Sequence, residues 1–187
     1  MAGSRANIAG KAALMRRVIV FQPALPAYRI DFFERVARQL GEGFAVWYSR
    51  DGAVESMAPF GWARPLPPMR PLPGGLDWQP GVLRTPVGKG DIVVVSGAPR
   101  NLPNMMMLAW ARLRGARTVW WGHYWSGTSR RRNFALRMLL MRLAHAVLFY
   151  TDDEVAEYKA GPGRADRRVV SALNNGINTD PIAALRA

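Results

Sequence analysis

The feature that most constrains this chain is a regular alternation of short apolar, β-branched or aromatic runs with segments of helical period. The runs recur at Val18–Phe21, Phe44–Tyr48, Asp91–Ser96, Arg117–Gly122, Ala146–Tyr150 and Arg168–Leu173. Runs of that length and composition suit strands, and helical patterns in most of the gaps supply the crossovers that parallel strands require. "DIVVVSG" and "AVLFYT" are apolar on both faces, as strands buried between two helical layers must be. The expected fold class is therefore α/β, a Rossmann-like parallel sheet with helices on both faces.

The helices declare their ends. Tyr28 to Leu40 carries Phe32, Phe33, Val36, Ala37 and Leu40 on one stripe, and Gly41 follows as the stop. A second helix is expected from Leu102 to Arg114, with Asn101 as cap and Gly115 as stop. Thr151 and Glu154 in "TDDE" have the spacing of a capping box, and the acids suit a helix N-terminus. We read Asp152 and Asp153 as helix-start residues rather than catalytic carboxylates. The proline-rich stretch Ala58 to Gly81 has no helical period and is expected to be an irregular surface excursion, followed by one strand at Val82–Pro86. Long excursions of this kind serve as lids or binding loops, or are variable insertions. No internal repeat of fixed period occurs. The expected organisation is a flexible segment over 1–15, one domain over 16–174 and a turn-rich, hinge-like or truncated segment over 175–187.

Composition narrows the function classes. The chain has 187 residues, no cysteine, and 26 Lys plus Arg against 13 acids, a formal charge of +13. Without cysteine there is no disulfide, thiol nucleophile or Cys-based zinc site. The positive charge favours polyanionic partners, whether nucleic acid, anionic lipid or phosphorylated substrates, without choosing among them. "MRRVIVFQPALPA" imitates a signal peptide, but Gln22, Pro23 and Pro26 break the apolar run, and we read it as a first core strand. Nowhere does the sequence offer the ~18 uninterrupted apolar residues of a membrane span. The expected location is the cytoplasm, with any membrane contact peripheral on the inner face.

In an open α/β sheet the ligand lies beyond the carboxyl ends of the strands. Those ends here carry Arg29, Arg100, His123, Tyr124 and Ser126. Arginines and helix N-termini both stabilise negative charge, so an anionic or hydroxyl-rich ligand is favoured. The first turn has prolines in place of G-x-G-x-x-G, and "GKGD" at Gly88 lacks P-loop spacing. There is no G-x-S-x-G elbow, and His145 starts a core strand, where a structural role is expected.

Taken in order, "FQPALPAYRIDFFERVARQL", "VVVSGAPRN", "TVWWGHYWSG", "RLAHAVLFYTDDEVAEYKAGPG" and "VVSALNNGINTD" resemble the N-terminal half of GT-B glycosyltransferases, in particular the retaining family 4 enzymes. The resemblance spans about Val18 to Asp180. It implies an acceptor-binding lobe whose nucleotide-sugar donor binds chiefly in a second, C-terminal lobe that this chain lacks, or that a separately encoded partner supplies. It implies no metal and no resident cofactor, the nucleotide-sugar being a substrate of the complete enzyme. Glu34 and Glu42 meet the E-x7-E spacing of the donor lobe only by chance, since Gly41 separates them. The resemblance assigns His123 the catalytic place, hydrogen-bonding the reacting sugar or acceptor or moving a proton. Tyr28, Arg29, Arg100, Gly122, Tyr124, Trp125 and Ser126 would line the acceptor groove, with Tyr124 and Trp125 free to stack on a sugar, while Trp120 and Trp121 belong to the strand core. Relatives with a Gly-Gly turn after the first strand let donor phosphates approach there; "PALPAYR" has none, and Arg29 takes part of that role.

The segment from Ser129 carries Arg130, Arg131, Arg132, Arg137 and Arg142 among Leu and Met. A basic amphipathic helix of this kind can lie on an anionic membrane, which suits a lipid-linked acceptor, or it can pack its apolar side under the sheet with the arginines solvated. "NMMMLAW" at Asn104 to Trp110 is similarly apolar, as core or as a surface normally covered by the absent lobe. Nucleic-acid binding is the rival reading, since aromatics beside arginines can stack bases while neutralising phosphates, but the bases are spread along the chain and no known module fits.

Overall fold

The computed structural model describes residues 16–50, 60–125 and 131–174, so the expectations for 1–15 and 175–187 lie outside the described residues. The elements follow in the order β1 (Val18–Gln22), α1 (Ile30–Leu40), β2 (Phe44–Ser49), β3 (Ala63–Leu66), β4 (Arg70–Leu72), β5 (Leu76–Trp78), β6 (Ile92–Ser96), α2 (Leu102–Leu113), β7 (Arg117–Trp121), α3 (Arg131–Met141), β8 (Ala146–Phe149), α4 (Asp152–Ala160) and β9 (Val169–Ala172). Seven strands form one sheet in the order β3-β2-β1-β6-β7-β8-β9, every neighbouring pair parallel. This is the α/β, Rossmann-like fold expected from the alternating runs. The chain leaves β1 towards β2 and re-enters beside β1 as β6, so the strand order reverses between them. At such a switch point the connections diverge and leave a crevice beyond the carboxyl ends.

The sheet has two unlike faces. Ile19, Phe21, Val93, Val95, Trp120, Val147 and Phe149 pack with Met105, Met107, Leu108, Met141 and Tyr158, from α2, α3 and α4. On the other face Val20, Phe44, Val46, Val94 and Trp121 pack with Phe33 of α1 and with Trp62. Phe33 sits 5.6 Å from Trp62 and 6.1 Å from Trp121, ring centre to centre, which fixes the start of α1 over the end of β7. Trp120 and Trp121 are core residues, as their place in an apolar run predicts.

Several local expectations hold for physical reasons. Gly41 closes α1 at φ +60, where a Cβ is disfavoured. Asn101 caps α2, its side chain accepting from Asn104 N–H. Three expectations are corrected. The stretch after β2 is not merely an irregular excursion: Ala63–Leu66 extends the main sheet as a parallel edge strand, with Ala63 and Leu66 buried, and β4 and β5 form a separate antiparallel pair. Val82 begins a single 3-10 turn over Val82–Arg84 instead of a strand, and its buried side chain explains the apolar signal. α1 also begins later than Tyr28, because a 3-10 turn over Ala27–Arg29 comes first.

A polar clamp docks α4 against the rest. Asp166 Oδ2 accepts from Tyr158 Oη at 2.6 Å and from Arg168 Nη2 at 2.7 Å, and Arg168 Nη1 donates to the carbonyls of Met141 at 2.6 Å and Ala144 at 2.9 Å. The clamp therefore joins α4, the end of α3 and the approach to β9. Arg168 hydrogen bonding holds the Asp166 carboxyl well below its ordinary range, against the upward push of burial. A depressed carboxyl stabilises the fold above its unfolded pKa and loses that contribution as pH falls through the folded value. Asp166→Asn should cost about 3 kcal/mol near neutrality, as expected for breaking a largely buried ion pair. Urea denaturation between pH 7 and 2 checks both points: wild-type stability should drop more steeply than the variant's below about pH 4.

Candidate functional site

The carboxyl edge of β7 and β8 is held together by one side chain, Glu154, in the first turn of α4. Oε1 accepts from His123 Nδ1 at 2.9 Å and from Tyr124 N–H at 3.1 Å, while Oε2 accepts from Tyr150 N–H at 2.9 Å. Thr151 caps α4 by accepting from Glu154 N–H at 3.2 Å, as the sequence spacing predicts. The Glu half of the box departs from the pattern. It reaches the N–H of Tyr150 rather than that of Thr151, and the other oxygen is left to hold the turn after β7. Sequence reasoning missed Glu154 because at that spacing a Glu is fully explained as a helix cap.

The Glu154 side chain is 13% exposed and that of His123 60%. A carboxylate has no proton to donate, so the Nδ1–H tautomer of His123 is selected and Nε2 is left as an acceptor. The imidazole also packs against Tyr150, ring centres 4.3 Å apart. Its backbone is held from below, where Arg137 Nη1 donates to the His123 carbonyl at 3.0 Å. Arg137 is only 9% exposed, which corrects its expected place on a membrane-facing surface. Burial pushes its guanidinium below the usual value, with the Glu154 charge acting in the opposite sense. α3 is thus not amphipathic in the expected manner: Leu136 and Leu139 are 48% and 60% exposed while an arginine goes inside.

Other expected groove residues divide into two groups. Arg29, just before α1, reaches across the same face of the sheet: Nη1 donates to Gln22 Oε1 at 2.7 Å and Nη2 to Tyr150 Oη at 3.4 Å. Its guanidinium carbon lies 4.8 Å from the Trp121 ring centre and 5.5 Å from that of Tyr28, which is exposed at the rim. Trp125 is exposed, its indole donating to Glu157 Oε2 on α4 at 3.2 Å. Tyr124 points away, its ring set edge-on among Phe134, Phe149 and Tyr158, so it is a packing residue and not a free stacking platform. Arg100 is turned aside to Asp77, at 3.1 Å. Gly122 is buried, and a Cβ there would come within 2.9 Å of Gly97 Cα, so close strand packing accounts for it. Ser126 and Arg130, and the side chains of Arg131 and Arg132, lie outside the described residues.

His145 is held at the opposite end of its strand, with Nδ1 accepting from Thr118 N–H at 3.0 Å. Burial, helped by Arg112 and Arg117, lowers its pKa, which keeps it neutral and structural. Among the described residues no group of three or more His, Asp or Glu side chains is placed to hold a metal ion, and no helix is long and apolar enough to cross a membrane. No protein-family model, curated protein or solved structure matches this chain.

Glu154→Ala should release the imidazole. Two-dimensional 15N NMR at pH above about 8 should then show His123 shifting from the Nδ1–H form to the Nε2–H form that dominates in free imidazoles, with about 2 kcal/mol lost in denaturant melts from the orphaned amides. An unchanged tautomer would show that the carboxylate does not orient the ring.

Proposed function

We propose that this chain is the acceptor-binding half of a glycosyltransferase that moves a sugar from a nucleotide-sugar to a polysaccharide or lipid-linked acceptor. The observation that supports this reading is the His123–Glu154 pair, exposed at the carboxyl edge of a parallel sheet whose strand order reverses nearby. Ligands of open α/β sheets bind at that edge, and a carboxylate-oriented imidazole there can act on a hydroxyl group. In the proposed step the acceptor hydroxyl donates a hydrogen bond to Nε2. As its oxygen bonds to the anomeric carbon on the face that the nucleoside diphosphate leaves, so that the configuration is retained, the bond from that carbon to the diphosphate breaks and the hydroxyl proton passes to Nε2. The Glu154 carboxylate stabilises the imidazolium formed. The donor nucleotide is held by a second lobe, in this chain's complete protein or in a partner.

A lipid-linked acceptor would bring the lobe to a membrane surface. In favour of this are Leu136 and Leu139 on α3 and Trp110 and Leu113 on α2, all exposed, with Arg112, Arg114 and Arg142 exposed on or just beyond the same two helices. Such a surface suits the anionic cytoplasmic face of a membrane, the side on which nucleotide-sugars are available. Sedimentation with phosphatidylglycerol vesicles should carry the chain down and with phosphatidylcholine vesicles should not; replacement of Leu136 and Leu139 by Ser should weaken the anionic binding at least fivefold.

The functional test is sugar transfer by the two-lobe enzyme, with the donor lobe supplied in the same polypeptide or in trans. His123→Ala should lower kcat by roughly 100-fold or more, the range for loss of a positioned proton acceptor, while the melting curve stays close to wild type. Near-normal turnover by that variant, or transfer by residues 1–187 alone, would overturn the proposal.

A further inference from the structure

The main sheet ends in β3 on one side and in β9 on the other. An open edge templates pairing with another chain, and proteins commonly blunt such edges with proline or charge. β3 is blunted in this way, since Arg64 and Pro65 occupy its middle and both are exposed. β9 reads Val-Val-Ser-Ala, carries neither device, and leaves Val169 69% exposed. Among the described residues nothing pairs with its outer side.

The free ladder on that side is short, and the inner pairing sets its phase. Leu173 N–H donates to Phe149 O on β8, so alternation along the strand turns the N–H and C=O of Val170 and Ala172 outward. The preceding outward amide, that of Arg168, already donates to Asp166 Oδ1 at 2.9 Å. Asn174, at φ +48, leaves the strand conformation at the other end. Two outward donors and two outward acceptors remain, placed evenly about Ser171.

We propose that β9 is a dimerisation edge that pairs antiparallel with β9 of a second copy of this chain, about a two-fold axis through Ser171. In that register Val170 of each copy faces Ala172 of the other, and each such pair exchanges both backbone hydrogen bonds. Val169 falls opposite the half-buried Leu173 of the second copy, which gives the exposed valine an apolar neighbour. The charges agree with this direction. Arg164 and Arg167, both exposed, precede β9, whereas Asp152 and Asp153, also exposed, stand at its far end, where Asp152 Oδ2 accepts from Asn174 Nδ2 at 2.7 Å. Antiparallel pairing sets the basic end of each copy beside the acidic end of the other; a parallel partner sets like charges together. The contact uses the same surface on both chains, so the assembly closes at two. The carboxyl edges of the two sheets then point in opposite directions, and the inference does not rest on the glycosyl-transfer reading.

Sedimentation velocity of residues 1–187 at about 0.1 mM, a concentration that reveals weak association, should show a dimer that dissociates on dilution. Val169→Lys places a charge at an exposed edge position, and Ala172→Pro removes one outward N–H and no bond inside the sheet. Each should weaken association by about tenfold or more, with melting curves of the dilute chain showing that the variants fold. Arg167→Glu should weaken it as well, and adding Asp152→Arg should restore it. Hydrogen exchange gives a second readout: the amides of Val170 and Ala172 should slow as concentration rises, while that of Leu173, bonded inside the sheet, should not change. A wild-type chain that stays monomeric at about 0.1 mM would overturn the proposal, as would a dimer equally stable in folded Val169→Lys and Ala172→Pro. Failure of the double variant to recover would overturn the antiparallel register.

Discussion

The carboxyl edge of this sheet depends on the Glu154 carboxylate. Each of its charge-assisted bonds contributes about 1.5–3 kcal/mol, and they converge from two strand ends and a side chain. The acid also sits in the first turn of α4, where the helix dipole favours negative charge. Its position is in turn set from the far end of the helix, where Tyr158, Asp166 and Arg168 lock α4 to α3 and β9. The orientation of an exposed imidazole is thus tied to a clamp at the other end of a nine-residue helix.

The large features of the fold were legible because they follow from burial. A parallel strand covered on both sides must be apolar throughout, and "IVVVS" and "AVLF" have no other explanation. Helix ends were legible where one residue decides them, as Asn101 and Gly41 do. β3 was not: it pairs along one side only, its middle residues Arg64 and Pro65 are exposed, and a proline there loses no ladder bond that an edge strand needs. Val82–Arg84 misled in the opposite sense, since one buried valine in a turn has the same composition as a short strand.

At the site, sequence reasoning located the turn at His123 from the position of a strand end, but it could not assign partners across the fold. Glu154 and Arg137 lie 31 and 14 residues away from His123, and each had a sufficient local explanation, as a cap and as a solvated base. Charge counts mislead in the same way. The excess of basic residues says nothing of which arginine is paired, as Arg168 is, which is buried under a backbone carbonyl, as Arg137 is, and which meets only neutral groups, as Arg29 does. Only packing separates these environments, and packing is a property of contacts distant in sequence.

Gly97 and Gly122 end adjacent strands back to back, and a methyl group on the first would lie 2.3 Å from the indole nitrogen of the fully buried Trp120. Neither position has room for a side chain. The floor of the crevice is therefore closed to variation: a descendant of this protein that acquired a new ligand would have to do so by changing the rim, from His123 onwards and around Arg29, while two strand ends beneath stayed as bare backbone. The region most free to diversify rests directly on the region least able to.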